Sequence, residues 1–259
     1  MKKILIIGPF LFAMATAGFG VIQLGTQNFL TTLLPFSSSI PIHLLWVYIV
    51  SIILVVAAAA ILFNIQRGAA AAITGALFFL FFLILHVPKL LGNLKDPLEL
   101  TVAFETLLIG SGGFIIAAEF LQKTPNATKL MRIVISMAPL GRYLIAFSLI
   151  VFGVLHVRYT SFIQKMIPAW MPGHVFLAVI VIFGFFLAAL SFILNIKVTL
   201  ASTLLGIMFL LWVLLVHVPQ VINNYNSETE WISLCIALAC SGTAFSIASG
   251  TLLKTKLER

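Results

Sequence analysis

Residues 77–93 read LFFLFFLILHVPKLLGN, and residues 208–224 read MFLLWVLLVHVPQVINN. A shift of 131 positions places His86-Val87-Pro88 on His217-Val218-Pro219. Flanking glycine, phenylalanine and asparagine positions match in the same register, at 75, 78 and 93 against 206, 209 and 224. A match that extends this far around a tripeptide indicates an internal repeat.

The repeat extends towards the beginning of each copy, and its shift changes from 131 to 133 on the way. The matches are Pro41-Ile42-His43 with Pro172-Gly173-His174, Asn64-Ile65 with Asn195-Ile196, Phe19-Gly20-Val21 with Phe152-Gly153-Val154, and Pro35 with Pro168. The sequence therefore predicts two repeats, residues 1–127 and 128–259, and a connecting segment that absorbs the difference in length.

The composition places the chain in a lipid bilayer. It is 62% hydrophobic and 8% charged, with a mean hydropathy of +1.19, and a water-soluble domain could not cover so much apolar surface. Apolar runs long enough to cross a membrane predict eight transmembrane helices, four in each repeat. They lie at about 4–25, 42–63, 69–87, 98–121, 135–157, 174–196, 198–218 and 231–253.

The first run resembles a signal peptide, with Met1-Lys2-Lys3 before an apolar stretch. Its counterpart in the second repeat lies in the middle of the chain, so we expect the first run to be a retained helix. Because each repeat holds an even number of helices, both repeats enter the membrane in the same orientation. The predicted fold is all-α and integral to the membrane: two parallel-oriented four-helix bundles.

Basic residues predict the orientation of these helices. With a cytoplasmic N-terminus, eleven of the fifteen Lys and Arg residues lie on the cytoplasmic side, as the positive-inside rule requires. The four on the outer side are Lys89, Lys95, Arg158 and Lys165. We expect a protein of the inner (cytoplasmic) membrane with both termini in the cytoplasm. The net charge of +8 then reflects topology and contact with lipid, and predicts no nucleic-acid partner.

All five histidines fall at the predicted outer ends of helices. His43 pairs with His174 and His86 with His217 in the repeat, while His156 aligns with Gln23. Each half therefore offers three polar side chains at similar depth. Three readings stay open: helix capping at the lipid–water interface, a polar pocket for a small molecule or lipid, and a metal site, to which the three histidines of the second half are better suited.

Glu105 is the carboxylate placed deepest in an apolar run, LELTVAFETLLIG. A pair with His86 or His43 would satisfy it, and it is the best candidate proton acceptor in the first half. At a shift of 130, Cys235 takes its place in the second half. Cys235 and Cys240 lie five apart on one predicted helix, so we expect two buried free thiols and no mutual disulfide.

The second repeat carries a family resemblance. Gly141-Arg142 opens a helix, Phe152-Gly153-Val154-Leu155-His156 ends it, and Met166-Ile-Pro-Ala-Trp-Met-Pro-Gly173 precedes the next helix. This pattern resembles the DoxX family of four-helix membrane proteins, most clearly over residues 141–195, so the chain is similar to a tandem DoxX-like protein. The resemblance implies an association with membrane complexes of quinone, sulfur or thiol chemistry, although a shared fold does not transfer an activity.

These features predict an accessory membrane subunit without autonomous catalysis, which binds a quinone or another lipid-like molecule near the outer histidine layer. The candidate ligand-binding residues are Gln23, His43, His86, Glu105, His156, His174 and His217. One alternative is a membrane subunit of a sulfur/quinone oxidoreductase that works with a soluble or membrane redox partner. A second alternative is a small-solute or proton-coupled transporter, in which Glu105 carries the proton.

Overall fold

The computed structural model describes the backbone of residues 4–122 and 128–257, and the side chains of residues 7–122 and 128–250. These residues form helices and connecting segments and contain no strand. Eight helices are long and apolar enough to cross a membrane, as the hydropathy predicts. The predicted boundary at residues 127 and 128 adjoins residues 123–127, which lie outside the described part.

The helices follow the order of the predicted runs. Their bounds are α1 Ile4–Thr26, α2 His43–Leu62, α3 Arg67–Phe81, α4 Val87–Gly92, α5 Pro97–Leu121, α6 Lys129–Arg158, α7 Thr160–Met166, α8 His174–Leu194, α9 Val198–Trp212, α10 Val218–Asn223 and α11 Glu228–Leu257. Five-residue π turns, Phe82–His86 and Val213–His217, join α3 to α4 and α9 to α10. The third and seventh spans therefore run from Arg67 to Gly92 and from Val198 to Asn223.

The two His-Val-Pro motifs lie inside these long spans and do not end them, although the predicted runs end at residues 87 and 218. A proline lacks the N–H of the helical ladder, and its ring crowds the carbonyl four residues earlier. The wider π turn relieves that conflict, because it changes the hydrogen-bond spacing just before Pro88 and Pro219. As a result, His86 and His217 each occupy the last position of a π turn.

The tight connections at the opposite end of the helices also match between the halves. Asn64 and Gln66 have left-handed backbone angles, with φ of 63° and 52°, and Asn195 and Lys197 have φ of 58° and 53°. In both turns the residue between them donates its backbone N–H to a carbonyl five residues earlier, at 2.8 Å for Ile65 and 3.1 Å in the second turn. Such bonds satisfy the free carbonyls at the end of a helix.

Helices α5 and α11 lie at the centre of the molecule. They contact each other, α5 also packs against α3 and α6, and α11 packs against α9 and α1. Their membrane-spanning stretches are 78% and 83% buried, whereas no other span exceeds 50%. The contacts of α1 with α11 and of α5 with α6 cross the predicted boundary between the repeats, so the structure does not separate the chain there into two independent bundles.

Glycines allow the closest of these contacts. A Cβ atom at Gly75 would lie 2.9 Å from the Gly110 carbonyl oxygen, where α3 meets α5. A Cβ atom at Gly242 would lie 2.8 Å from the Gly8 carbonyl oxygen, where α11 meets α1. Both distances are too short for a larger residue without movement of the backbone. Close approach through small residues is the usual way in which helices associate in lipid.

Candidate functional site

The polar network around His86 is the most completely bonded group at the end of the molecule where the histidines lie, here called the histidine end. His86 is fully buried. Its Nδ1 lies 2.6 Å from Glu99 Oε1, and its Nε2 lies 3.1 Å from the Leu33 carbonyl oxygen and 3.2 Å from Thr106 Oγ1. One imidazole thus joins the π turn, helix α5 and the segment 27–42 between α1 and α2, here called the first connecting segment.

The hydrogen-bond partners define where protons must lie in this network. The Leu33 carbonyl oxygen can only accept, so Nε2 of His86 carries a hydrogen. The Thr106 hydroxyl donates to the Val102 carbonyl oxygen at 2.8 Å, which leaves it as an acceptor towards Nε2. A second proton must therefore lie between Nδ1 and Glu99, on the imidazole as an imidazolium or on the carboxyl group.

Lys89 completes the arrangement. Its Nζ lies 3.3 Å from Glu99 Oε2, so each carboxylate oxygen faces a donor. This is the hydrogen-bond pattern of an ionised carboxylate, which accepts at both oxygens, and it fits a His86 imidazolium beside a Glu99 carboxylate. The Glu99 side chain is 13% exposed and that of Lys89 is 44% exposed, so Lys89 lies between the buried His86–Glu99 pair and the surface.

The start of helix α5 positions Glu99. Asp96 caps this helix, and its Oδ1 accepts hydrogen bonds from the backbone N–H groups of Leu98 and Glu99 at 2.9 and 3.2 Å. Pro97 occupies the first helical position, where its missing N–H costs nothing. A carboxylate in the first turn of a helix also faces the positive end of the helix dipole. The sequence reasoning missed Glu99, Thr106 and Lys89 as members of this site.

The expected pair of Glu105 with His86 or His43 does not form. The ring nitrogens of His86 are occupied by Glu99, Leu33 and Thr106, and Glu105 has no hydrogen bond or ion pair with the described residues. Its physical position explains the error, because Glu105 belongs to the face of α5 that meets α11. One and two heptads further along that face, Gly112 lies against the Thr243 side chain, and Ser249 donates to Glu119 Oε2 at 3.3 Å.

His43 and Gln23 lie apart from the His86 network. The His43 ring packs edge-on against Phe29, with 5.4 Å between ring centres, and its Nε2 is buried without a hydrogen-bond partner. Gln23 is fully buried, and its Oε1 accepts a hydrogen bond from Ser51 Oγ at 3.1 Å. The Ser51 hydroxyl also donates to the Val47 carbonyl oxygen at 2.6 Å, and Nε2 of Gln23 has no partner.

The three histidines of the second half do not converge, so the metal reading of that half is not realised. His156 donates from Nδ1 to the Phe152 carbonyl oxygen at 2.8 Å, and its ring stacks on Trp212 with an interplanar angle of 7°. The described residues contain no group of three His, Cys, Asp or Glu side chains placed to hold a metal ion. Hydropathy located the spans but carried no information on how each helix is rotated.

His217 is bonded very differently from His86, its counterpart in the predicted repeat. Nδ1 of His217 is buried and has no hydrogen-bond partner, although the side chain of Gln220 interacts with the ring. No hydrogen bond or ion pair among the described residues joins His217 to Glu230, the residue that lies 131 positions after Glu99. The second half therefore lacks the closed network of the first.

The second half instead has an open cleft of about 910 Å³ at the histidine end. Residues 159–173, here called the second connecting segment and containing α7, form one wall, and α10 forms the other. His174 stands at the start of α8, and its Nε2 lies 3.2 Å from the Pro168 carbonyl oxygen. The lining residues are Ser161, Gln164, Lys165, Met166, Ile167, Pro168, Ala169, Trp170, His174, Val216, Pro219, Gln220 and Asn223.

Cys235 and Cys240 are both buried and free, as their spacing predicts. The Cys235 sulfur lies against Gly18 of α1, so this thiol fills space between central helices.

Comparison of the chain with protein-family models, with curated proteins and with solved structures finds no match.

Proposed function

We propose that the chain is a multi-pass membrane protein built from two DoxX-like repeats, which binds a quinone or another lipid-like small molecule and has no autonomous catalytic activity. The observation that carries this proposal is the cleft beside His174. Its volume of about 910 Å³ lies in the range of small-molecule sites, and its lining combines apolar side chains with a few polar groups.

Matching local conformations support the duplication. The π turns and the left-handed turns recur at a shift of 131 positions. So does the left-handed residue before α2 and α8, which is Ile42 with φ of 57° in one half and Gly173 with φ of 73° in the other. Each of these conformations is uncommon, and their recurrence in one register favours a common ancestral unit.

Contacts between helices support the same register for α5 and α11. Gly75 lies against the backbone of Phe114, and Gly206 lies against the ring of Phe245. The two glycines lie 131 positions apart, and so do the two phenylalanines. In this register Glu99 corresponds to Glu230. Glu105 corresponds to Ile236, whereas the shift of 130 used above paired it with Cys235 and did not pair Glu99 with Glu230.

The position of the cleft favours a ligand that comes from the membrane. The cleft lies at the ends of membrane-spanning helices, and Trp170 in its wall is 64% exposed, as is common where an aromatic residue meets the lipid–water boundary. We place this end outside the cytoplasm and both termini inside it, in the inner membrane, because the basic residues are concentrated at the opposite end. A molecule with an apolar body and a small polar end suits such a cleft.

Native mass spectrometry with a short-chain benzoquinone tests the proposal. The protein should bind one equivalent, and His174→Ala and Gln220→Ala, on opposite walls of the cleft, should each weaken binding at least about tenfold. His43→Ala is the matched control, since it removes the equivalent histidine of the first half and should leave binding unchanged. Absence of bound ligand, or equal losses in all three variants, would rule out this site.

A second candidate function is proton-coupled transport, and it is favoured by Glu105. This carboxyl group is half-buried on the face of α5 towards α11 and has no bonding partner among the described residues, and carboxyl groups within membrane-spanning helices often mark proton pathways. Vesicles containing the protein should then take up protons faster than empty vesicles, and Glu105→Gln should abolish the difference. Equal rates with and without the protein would remove this candidate.

A further inference from the structure

The cleft of the second half carries an uncompensated positive charge. Lys165 is the one formally charged residue in its lining, and it forms no ion pair with the described residues. The other polar side chains of the lining are hydroxyl, amide and imidazole groups, all of which can donate hydrogen bonds. No carboxylate contributes to the lining.

Three carboxylates at the histidine end are engaged elsewhere, and Glu230, at the start of α11, does not line the cleft. Glu99 bonds His86 and Lys89, and Asp96 caps α5. Glu228 opens α11, and its Oε1 accepts a hydrogen bond from the Thr31 backbone N–H, at 3.0 Å, in the first connecting segment. These acids stabilise the first half or its junction with α11. The cation of the cleft is therefore left for a ligand.

The cleft walls combine this cation with apolar surface. Met166, Ile167 and Trp170 lie in the same wall as Lys165, and Gln220 and Asn223 lie across from them. Trp170 and Met166 are exposed, so an alkyl chain can leave the cleft along them towards the surrounding lipid. An ammonium group binds phosphate and carboxylate groups through charge-assisted hydrogen bonds.

We propose that the cleft binds the anionic head of a single amphiphile, a phosphodiester or carboxylate that carries an alkyl chain. Lys165 Nζ donates to the anionic oxygens, the side chains of Gln164, Gln220 and Asn223 donate further hydrogen bonds, and the chain follows the apolar wall. This inference rests on the proposed binding of a lipid-like molecule in the cleft. It adds the charge of the ligand and the residue that selects it.

The test compares ligands that differ in net charge and in whether they carry an alkyl chain. Native mass spectrometry of the purified protein measures binding of short-chain phosphatidylglycerol, of phosphatidylcholine with the same chains, of glycerol phosphate without a chain, and of the neutral benzoquinone. The cleft should hold one phosphatidylglycerol molecule about tenfold more tightly than phosphatidylcholine. It should bind glycerol phosphate more weakly than either lipid.

Lys165→Gln should remove the preference for phosphatidylglycerol, and Lys165→Arg should retain it, because arginine keeps the positive charge. Lys95→Gln is the matched control: it removes a lysine of the same end of the molecule that lies outside the cleft, and the preference should persist. Lys165 is exposed, so its replacement leaves the packed helices intact.

Each other outcome has a definite meaning. Equal affinity for the two lipids, or an unchanged preference in Lys165→Gln, would overturn the anionic assignment while the neutral benzoquinone could still bind as first proposed. Glycerol phosphate bound as tightly as the lipid would identify a site for soluble anions and would overturn the amphiphile. Binding of none of the four ligands would overturn both this inference and the proposed function.

Discussion

The first connecting segment packs its leucines into the molecule, whereas the second borders an open cleft. Both segments join the first and second membrane-spanning helices of their half. In the first, Leu30, Leu33 and Leu34 are fully buried, and the Leu33 carbonyl oxygen is bonded to His86. In the second, α7 contains no buried residue, and the segment borders the cleft. The few side chains at the end of a helical framework thus decide whether that end is packed or accessible.

Substitutions at equivalent positions explain this difference. At a shift of 131, Lys89 and Thr106 of the His86 network are replaced by Gln220 and Ala237. The second half thereby loses the ammonium group that faces the carboxylate and the hydroxyl that faces the imidazole. Glu230 is retained but is not bonded to His217. A buried polar network stabilises a structure only when its members are all satisfied, so the second half does not hold its segment closed.

The largest effect is expected from Glu99→Ala. This change leaves the buried His86 without its carboxylate partner, and breaking a buried pair on one side costs about 3–5 kcal/mol. The free energy of unfolding in mixed micelles should fall by an amount near the lower end of that range, because Glu99 is 13% exposed. Glu230→Ala is the matched control and should change it by less than about 0.5 kcal/mol. Equal losses in the two variants would contradict the distinction between the halves.

A smaller effect is expected from Thr106→Ala, which gives the first half the alanine found at the equivalent position of the second. The fully buried Thr106 loses one hydrogen bond to His86 Nε2, worth about 1 kcal/mol. Thermal unfolding followed by intrinsic fluorescence would measure the loss. A variant that combines Thr106→Ala with Glu99→Ala should lose less than the sum of the two, since both residues act on one imidazole. Strict additivity would count against a single network.

The smallest effects concern the left-handed residue before the second helix of each half. Ile42 is 68% exposed with φ of 57°, a conformation that is costly for a β-branched residue. Ile42→Gly should raise the free energy of unfolding by about 0.5 kcal/mol, because relief of backbone strain exceeds the entropic cost of glycine. The reciprocal change Gly173→Ile should lower it by about 1 kcal/mol. Thermal unfolding that shifts in the same direction for both would refute this reading of the turn.

The sequence predicted the helices better than it predicted their contacts. Hydropathy located all eight spans, because the length of an apolar run is set by the thickness of the bilayer. It could not show which face of a helix turns inwards, since lipid-facing and buried faces are both apolar in a membrane. For that reason the sequence allowed a pair of Glu105 with His86 or His43, and left open a metal site at the three histidines of the second half, and neither forms among the described residues.

Two features of the site had a signal in the sequence. Glu99 and Glu230 are repeated carboxylates in the register of His-Val-Pro, and a constant shift of 131 would have singled them out. Asp96-Pro97 before an apolar run also predicts a helix start with a carboxylate in its first turn. The π turns had no such signal, because proline near the end of an apolar run more often ends a helix than widens it.

Hydrogen–deuterium exchange, with and without the short-chain benzoquinone, measures whether the first connecting segment is packed and the second accessible to a ligand. Exchange over residues 29–34 should be slow in both conditions, because Phe29, Leu30, Leu33 and Leu34 are buried and the backbone N–H groups of Phe29, Thr31 and Leu34 are hydrogen-bonded. Exchange over residues 159–173 should be fast without ligand and slower with it. Equal exchange over residues 29–34 and 159–173 without ligand, or protection by the ligand over residues 29–34 alone, would contradict this difference between the two segments.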